Sequence, residues 1–113
     1  MDELIELRIY KGRRSEAPYL KWLKSLNDKK TLAIINARLT RIRLGLFGDH
    51  KPVGEGVEEL RIDFGPGYRV YYGRDGTRAV ILLIGGAKLS QSKDIQIAAE
   101  YWRDYCRDKD QVV

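Results

Sequence analysis

The sequence predicts an α+β fold, and three observations carry that prediction. Apolar residues recur every three or four positions from Tyr19 to Leu46, the period shortens to two from residue 57, and helical spacing returns after Asp94. Helices, then a run of strands, then a last helix keep the element types apart instead of alternating them. At 113 residues the chain fits one domain, 1–113, with enough apolar matter (43%) to bury a core under a heavily charged surface.

Leu4 to Tyr10 is short, rich in apolar residues and closed by Lys11-Gly12, the signature of a first strand, with Glu6 and Arg8 keeping one face wet. Ser15 stands where a helix cap belongs and Pro18 falls in the first turn. Tyr19, Trp22, Leu23 and Leu26 then form the stripe of a short helix. Asn27-Asp28 breaks it and caps a second helix, expected to run antiparallel to the first. Leu32, Ile35, Leu39, Ile42 and Leu46 mark its buried side, and Gly45 and Gly48 end it.

From residue 57, Leu60, Ile62 and Phe64 point one way and Glu59, Arg61 and Asp63 the other. Gly65-Pro66-Gly67 turns the chain, and Tyr68, Val70 and Tyr72 alternate with Arg69 and Tyr71, so the two strands pair as a hairpin. After the turn Arg74-Asp75-Gly76, the nearly unbroken apolar run Ala79 to Ile84 reads as a central strand covered on both faces, stopped by Gly85-Gly86. Ser90 to Asp94 opens a last helix that buries Ile95, Ala98, Ala99, Trp102 and Cys106, and Arg107 to Val113 is expected to fray.

A formal charge of +5 and a pI near 9.4 suit a polyanionic partner. The excess lies early: residues 1–50 hold eleven Lys/Arg against six Asp/Glu, whereas residues 51–113 hold ten of each. One cysteine, Cys106, excludes an intrachain disulfide, and with His50 the one histidine neither a zinc site of the usual Cys/His kind nor a Cys-His nucleophile pair is well supported. His50, between Asp49 and Lys51, reads as a surface loop residue. No cofactor or metal is expected. The start is acidic and no apolar run is long enough for a leader or a span, so the expected location is the cytoplasm, with no membrane partner.

Two groups of residues could carry chemistry. Lys30, Arg38 and Arg41, with Arg43 nearby, collect opposite the apolar stripe of the second helix, as a solvated face or as an RNA-facing one. Arg61, Arg69 and Tyr71 share the polar face of the hairpin, where guanidiniums grip phosphate bidentately and a phenol stacks on a base or moves a proton. The alternative is a cross-strand ladder in which Glu59 or Asp63 satisfies Arg61 or Arg69. RNA cleavage by a ribose 2′-hydroxyl needs a base, an acid and positive charge on the phosphate. With the one histidine, His50, read as a surface loop residue, the candidates are Lys88, Lys93, Arg61, Arg69, Tyr71 and Tyr72. The polar segment from Gly85 to Ile95 opens a helix, a natural anion site, but lacks the spacing of a nucleotide loop.

Three blocks in order carry a resemblance: Gly56-Val57-Glu58-Glu59-Leu60-Arg61, then Gly65-Pro66-Gly67-Tyr68-Arg69-Val70-Tyr71-Tyr72, then Leu82-Leu83-Ile84-Gly85-Gly86 through Lys88, Gln91 and Asp94-Ile95. Over roughly residues 4–105 the chain resembles the HigB-like addiction-module killer proteins of the RelE/ParE superfamily. The resemblance implies a RelE-like fold, two N-terminal helices packed on a twisted, mainly antiparallel sheet with a C-terminal helix. It implies a metal-independent endoribonuclease that cuts messenger RNA in the ribosomal decoding site, inhibits translation and is silenced by a co-encoded antitoxin, often a helix-turn-helix DNA binder.

Carried over by position, Arg61, Arg69 and Tyr71 match the basic and aromatic positions of the first two blocks, and Lys88 and Gln91 the polar positions of the third. The expected catalytic set is therefore Arg61, Arg69, Tyr71 and Lys88, and the expected RNA-binding set Lys30, Arg38, Arg41, Gln91 and Lys93. The third block commonly has an acidic residue before its lysine, where this chain has Ala87. The superfamily also contains ParE-like members that poison DNA gyrase without cutting RNA, which is the alternative activity; an inactive relic that binds only its antitoxin is a third. Alanine at Arg69 is expected to abolish growth arrest and to leave the fold intact.

Overall fold

The two hydrophobic periods of the sequence become a five-stranded sheet with helices on both faces. The computed structural model describes residues 3–110. In chain order the elements are β1 (Glu6–Ile9), α1 (Pro18–Lys24), α2 (Lys29–Arg43), β2 (His50–Gly54), β3 (Val57–Ile62), β4 (Tyr68–Asp75), β5 (Ala79–Ala87), a 3-10 turn (Lys88–Ser90) and α3 (Gln91–Asp110). The strands lie in the order β1-β5-β4-β3-β2. β1 runs parallel to β5 and the other three pairings are antiparallel. The fold is α+β, with a mixed sheet and a C-terminal helix.

Strand alternation divides the core in two. Leu60, Ile62, Val70, Tyr72, Val80 and Leu82 meet Tyr19, Ile35, Leu39 and Ile42 of the first two helices. Val57, Tyr71, Ala79, Ile81 and Leu83 meet Ala98 and Ala99 of α3. A register shift between Tyr71 and Tyr72, where β4 pairs with β5, places both Leu83 and Ile84 on the α3 side.

Pro18 does open α1, but the residue at the capping position is Ala17, and Ser15 sits in the left-handed region at φ 64°. α2 stops at Arg43, short of the expected Leu46. The Gly45 amide bonds the Ile42 carbonyl and the Leu46 amide bonds the Arg41 carbonyl, a closing motif that needs Gly45 at φ 81°. Leu46 is left exposed and Phe47 enters the core instead. β2 is an edge strand that carries His50 and Pro52, a residue edges tolerate because it has no amide to donate.

Gly85-Gly86 does not stop β5, which runs on to Ala87. A Cβ at Gly85 would lie 2.2 Å from the Trp22 ring, and one at Gly86 would lie 1.9 Å from Asp94 Oδ2. The glycines are where a helix side chain presses on the strand from each face. Cys106 is half-buried, and α3 stays helical to Asp110; the rest of the segment expected to fray lies outside the described residues.

α3 is tied down by hydrogen-bonded acids. The Tyr10 hydroxyl donates to Asp104 and the Tyr105 hydroxyl to Asp75, each at 2.6 Å. Asp75 also pairs with Lys109 and lies 3.9 Å from Arg8. Bonds from Lys109 and Tyr105 hold the Asp75 carboxyl below its ordinary 3.8. A depressed carboxyl stabilises the fold above its unfolded value and loses that contribution as pH falls through its folded value. Asp75→Asn is therefore expected to lower the urea midpoint at neutral pH and to narrow the gap to wild type as pH drops to about 2.

Candidate functional site

The hairpin predicted from alternation places its two arginines face to face, since Arg61 of β3 is the direct partner of Arg69 of β4. Both line an open cleft of about 360 Å³ together with Lys88, Asp49, Asp63 and the Gly65-Pro66-Gly67 turn. The Lys88 amide donates to the Gly67 carbonyl at 2.7 Å, which pins the turn to the loop that carries the lysine. Three cations and two carboxylates thus border one concavity that opens to solvent.

Behind the arginines lies Glu59, fully buried. Its Oε1 is 2.8 Å from Arg69 Nε and 3.7 Å from Arg61 Nε. The first approach is an ion-pair contact and not an aligned hydrogen bond. The Gln91 amide donates to both carboxylate oxygens, at 2.8 and 3.1 Å. Arg69 itself is only 5% exposed and also donates from Nη1 to the Tyr68 carbonyl. The two guanidiniums and the Gln91 amide around this carboxylate offset part of the cost of taking its charge out of water. The ladder foreseen as the alternative to an RNA-facing surface is present, and the cleft is present beside it.

Tyr71 is on the same face of the sheet, opposite Glu59 in the strand register, but α3 covers it. It is wholly buried, its hydroxyl has no hydrogen-bond partner, and burial first, then the nearby Glu59 and Asp94, push its pKa up. It does not border the cleft. Alternation tells which face a residue takes, not what lies over that face. Tyr72 faces the other side of the sheet and donates to Glu58.

The remaining candidates divide. Lys93 is exposed on the first turn of α3, and Arg41 is exposed on α2. Lys30 sits over the Phe64 ring, 5.5 Å from its centroid, beside the cleft turn. Gln91 faces inward, onto Glu59. Arg38 is a strut: its Nη1 donates to the Arg61 carbonyl at 2.7 Å, and its Nη2 to the Phe47 and Asp49 carbonyls at 3.2 Å each. Its pKa is lowered, first by desolvation.

Arg38→Ala is expected to cost about 1–3 kcal/mol of stability, the scale of hydrogen bonds to a charged group. Arg41→Ala is expected to stay within about 0.5 kcal/mol of wild type. If Arg41 contacts RNA phosphate, its loss should flatten the salt dependence of RNA binding by roughly 0.7 in log-log slope. Denaturant melts and salt-titrated binding check both.

Sequence reasoning did not place Asp49 or Asp63 at the site. Asp63 alternates onto the polar face and was legible as a neighbour of Arg61. Asp49 arrives through the loop before β2, where its carbonyl accepts from the Arg61 amide at 2.9 Å, and no local pattern announces that. Among the described residues, no three His, Cys, Asp or Glu side chains converge as a metal site, and no helix is long and apolar enough to cross a membrane.

No protein-family model matches the chain. A protein of Haemophilus influenzae, described as uncharacterized, is 51% identical over 77 residues, which span 68% of this chain and 78% of that protein. At that identity over most of its relative's length, the chain belongs to the same family as the uncharacterized Haemophilus influenzae protein.

Proposed function

We propose that the protein is the toxin of a type II toxin-antitoxin module, of RelE-like fold and HigB-like kind, acting in the cytoplasm as a ribosome-dependent messenger RNA endonuclease. The observation that carries this reading is the cross-strand pair Arg61 and Arg69 bordering, with Lys88, one open cleft. The cleft suits a phosphodiester. Two guanidiniums can take its non-bridging oxygens, and the Lys88 ammonium bordering the same cleft can meet the charge that develops as the phosphorus becomes five-coordinate.

In the proposed reaction a ribose 2′-oxygen forms a bond to phosphorus and the bond to the 5′-oxygen breaks, leaving a 2′,3′-cyclic phosphate and a 5′-hydroxyl. One proton leaves the 2′-hydroxyl and one reaches the 5′-oxygen. Tyr71, expected in the catalytic set, is given no part in this step, because the buried phenol does not border the cleft. Proton transfer falls to Lys88 and to the carboxylates Asp49 and Asp63, which do. The ribosome would supply the aligned message and any further acid or base. A co-encoded helix-turn-helix antitoxin would silence the protein by covering this basic surface.

The second reading, a non-enzymatic gyrase inhibitor, is favoured by one observation: with Tyr71 buried, the cleft can hold an anion more readily than it can move protons. Incubation with programmed ribosomes and, separately, with gyrase decides. The proposal expects messages cut in the decoding site and unimpaired supercoiling. Intact messages with blocked supercoiling would replace it.

A further inference from the structure

We infer that Glu59 is a positioning residue, a single buried carboxylate that aims both cleft arginines from behind, with Gln91 locking it in place. The inference rests on the proposed nuclease reading and deepens it. Glu59 has no exposed surface, so its role is played entirely through neighbours. Both arginines approach it through Nε, the inner nitrogen, at 2.8 and 3.7 Å to the same oxygen. With Arg69 Nη1 donating to the Tyr68 carbonyl, Arg69 Nη2 and the Nη groups of Arg61 are then what the two side chains can present to the cleft that both line.

A long arginine side chain gives up considerable rotamer freedom when ordered, and the buried carboxylate meets that cost before the substrate arrives. Gln91 adds a second link. It is the first residue of α3, directly after the turn that carries Lys88, and it donates to both Glu59 oxygens. One carboxylate on β3 therefore joins its strand neighbour Arg61, Arg69 on β4 and the start of α3. The two arginines are held through it, and the backbone bond from Lys88 to Gly67 ties the turn that carries the third cation to the hairpin.

The same carboxylate opposes phosphate binding, because its charge lies behind the arginines and partly cancels them. Positioning and attraction thus move in opposite directions when the charge is removed. Glu59→Gln keeps the shape and loses the charge. A residue that serves only folding would lower the amount of active protein and leave affinity unchanged.

The experiment measures single-turnover cleavage on programmed ribosomes and binding to ribosomes carrying an uncleavable 2′-deoxy message, for wild type, Glu59→Gln and Gln91→Leu, with folded protein confirmed by circular dichroism. Expected for Glu59→Gln is binding roughly threefold tighter with cleavage at least about tenfold slower. Gln91→Leu, which spares the charge, should slow cleavage with unchanged binding, and it carries the test if Glu59→Gln does not fold. Slower cleavage without tighter binding in Glu59→Gln, or wild-type rates in either folded variant, would overturn the inference.

If wild type cuts no message, the nuclease reading fails, and the Nε-H signals of Arg61 and Arg69 decide the positioning role separately. Slow exchange with solvent in wild type that is lost in Glu59→Gln supports it. Rapid exchange in wild type refutes it.

Discussion

Arg69→Ala is expected to abolish growth arrest and, contrary to the expectation from sequence, to destabilise the fold by about 3–5 kcal/mol, the scale for removing one partner of a buried ion pair. The reason is Glu59, which is fully buried 2.8 Å from Arg69 Nε and would be left with only Gln91 and the more distant Arg61 as polar partners. Domains of this size are stable by roughly 5–15 kcal/mol, so the alanine variant could lose its toxicity by unfolding alone.

Two companions separate the causes. Arg69→Lys keeps a cation near Glu59 but loses the planar fork, so it should stay folded and still fail to arrest growth. Glu59→Met with Arg69→Met removes both charges and should recover much of the stability without recovering arrest, as buried pairs replaced by apolar side chains often do. Thermal melts read beside growth curves check all three. Arrest by folded Arg69→Lys at the wild-type level would remove Arg69 from the proposed machinery.

The second large effect falls on the fold. Gly85→Ala is expected to destabilise by about 1–3 kcal/mol, because the new methyl would lie 2.2 Å from the Trp22 ring, so the strand or the ring must shift to admit it. Trp22 is wedged between Tyr19, at 5.8 Å centroid separation, and Tyr68, at 6.3 Å. The cost should disappear in a Trp22→Ala background, where no ring opposes the methyl. A cost that persists there would trace the glycine to strand conformation and not to the ring. Urea melts of the two single variants and the double variant give the answer.

These two cases mark how far the sequence could be read. Alternation through Glu59, Arg61, Arg69 and Tyr71 assigned all four to one face of a hairpin, and the register bears that out. Alternation carries no information about what covers a face. Tyr71 and Arg69 look equivalent in sequence, yet α3 seals one and the cleft reaches the other. The glycines misled for a related reason. Gly85-Gly86 resembles a strand end when only local conformation is considered, and its meaning is set by Trp22 and Asp94, remote in sequence.

Arg38 shows the same limit from the helix side. Its place opposite the apolar stripe marked it as solvent-facing, whereas the chain returning through Phe47 and Asp49 brings three carbonyls to it. The edge strand β2 was missed because five residues with a proline, mostly exposed, carry no hydrophobic period. Local periodicity thus located the helices and the hairpin, and long-range packing decided which polar residues remain at the site.

In the proposed function the basic cleft cuts messages during translation. The most direct measurement is a short pulse of expression in cells, followed within minutes by transcriptome-wide mapping of RNA 5′ ends, with Arg69→Lys as the control. The expected result is new ends confined to translated regions, in frame, and absent from the control. Arrested growth with no new ends would contradict the nuclease and leave a protein that acts by binding.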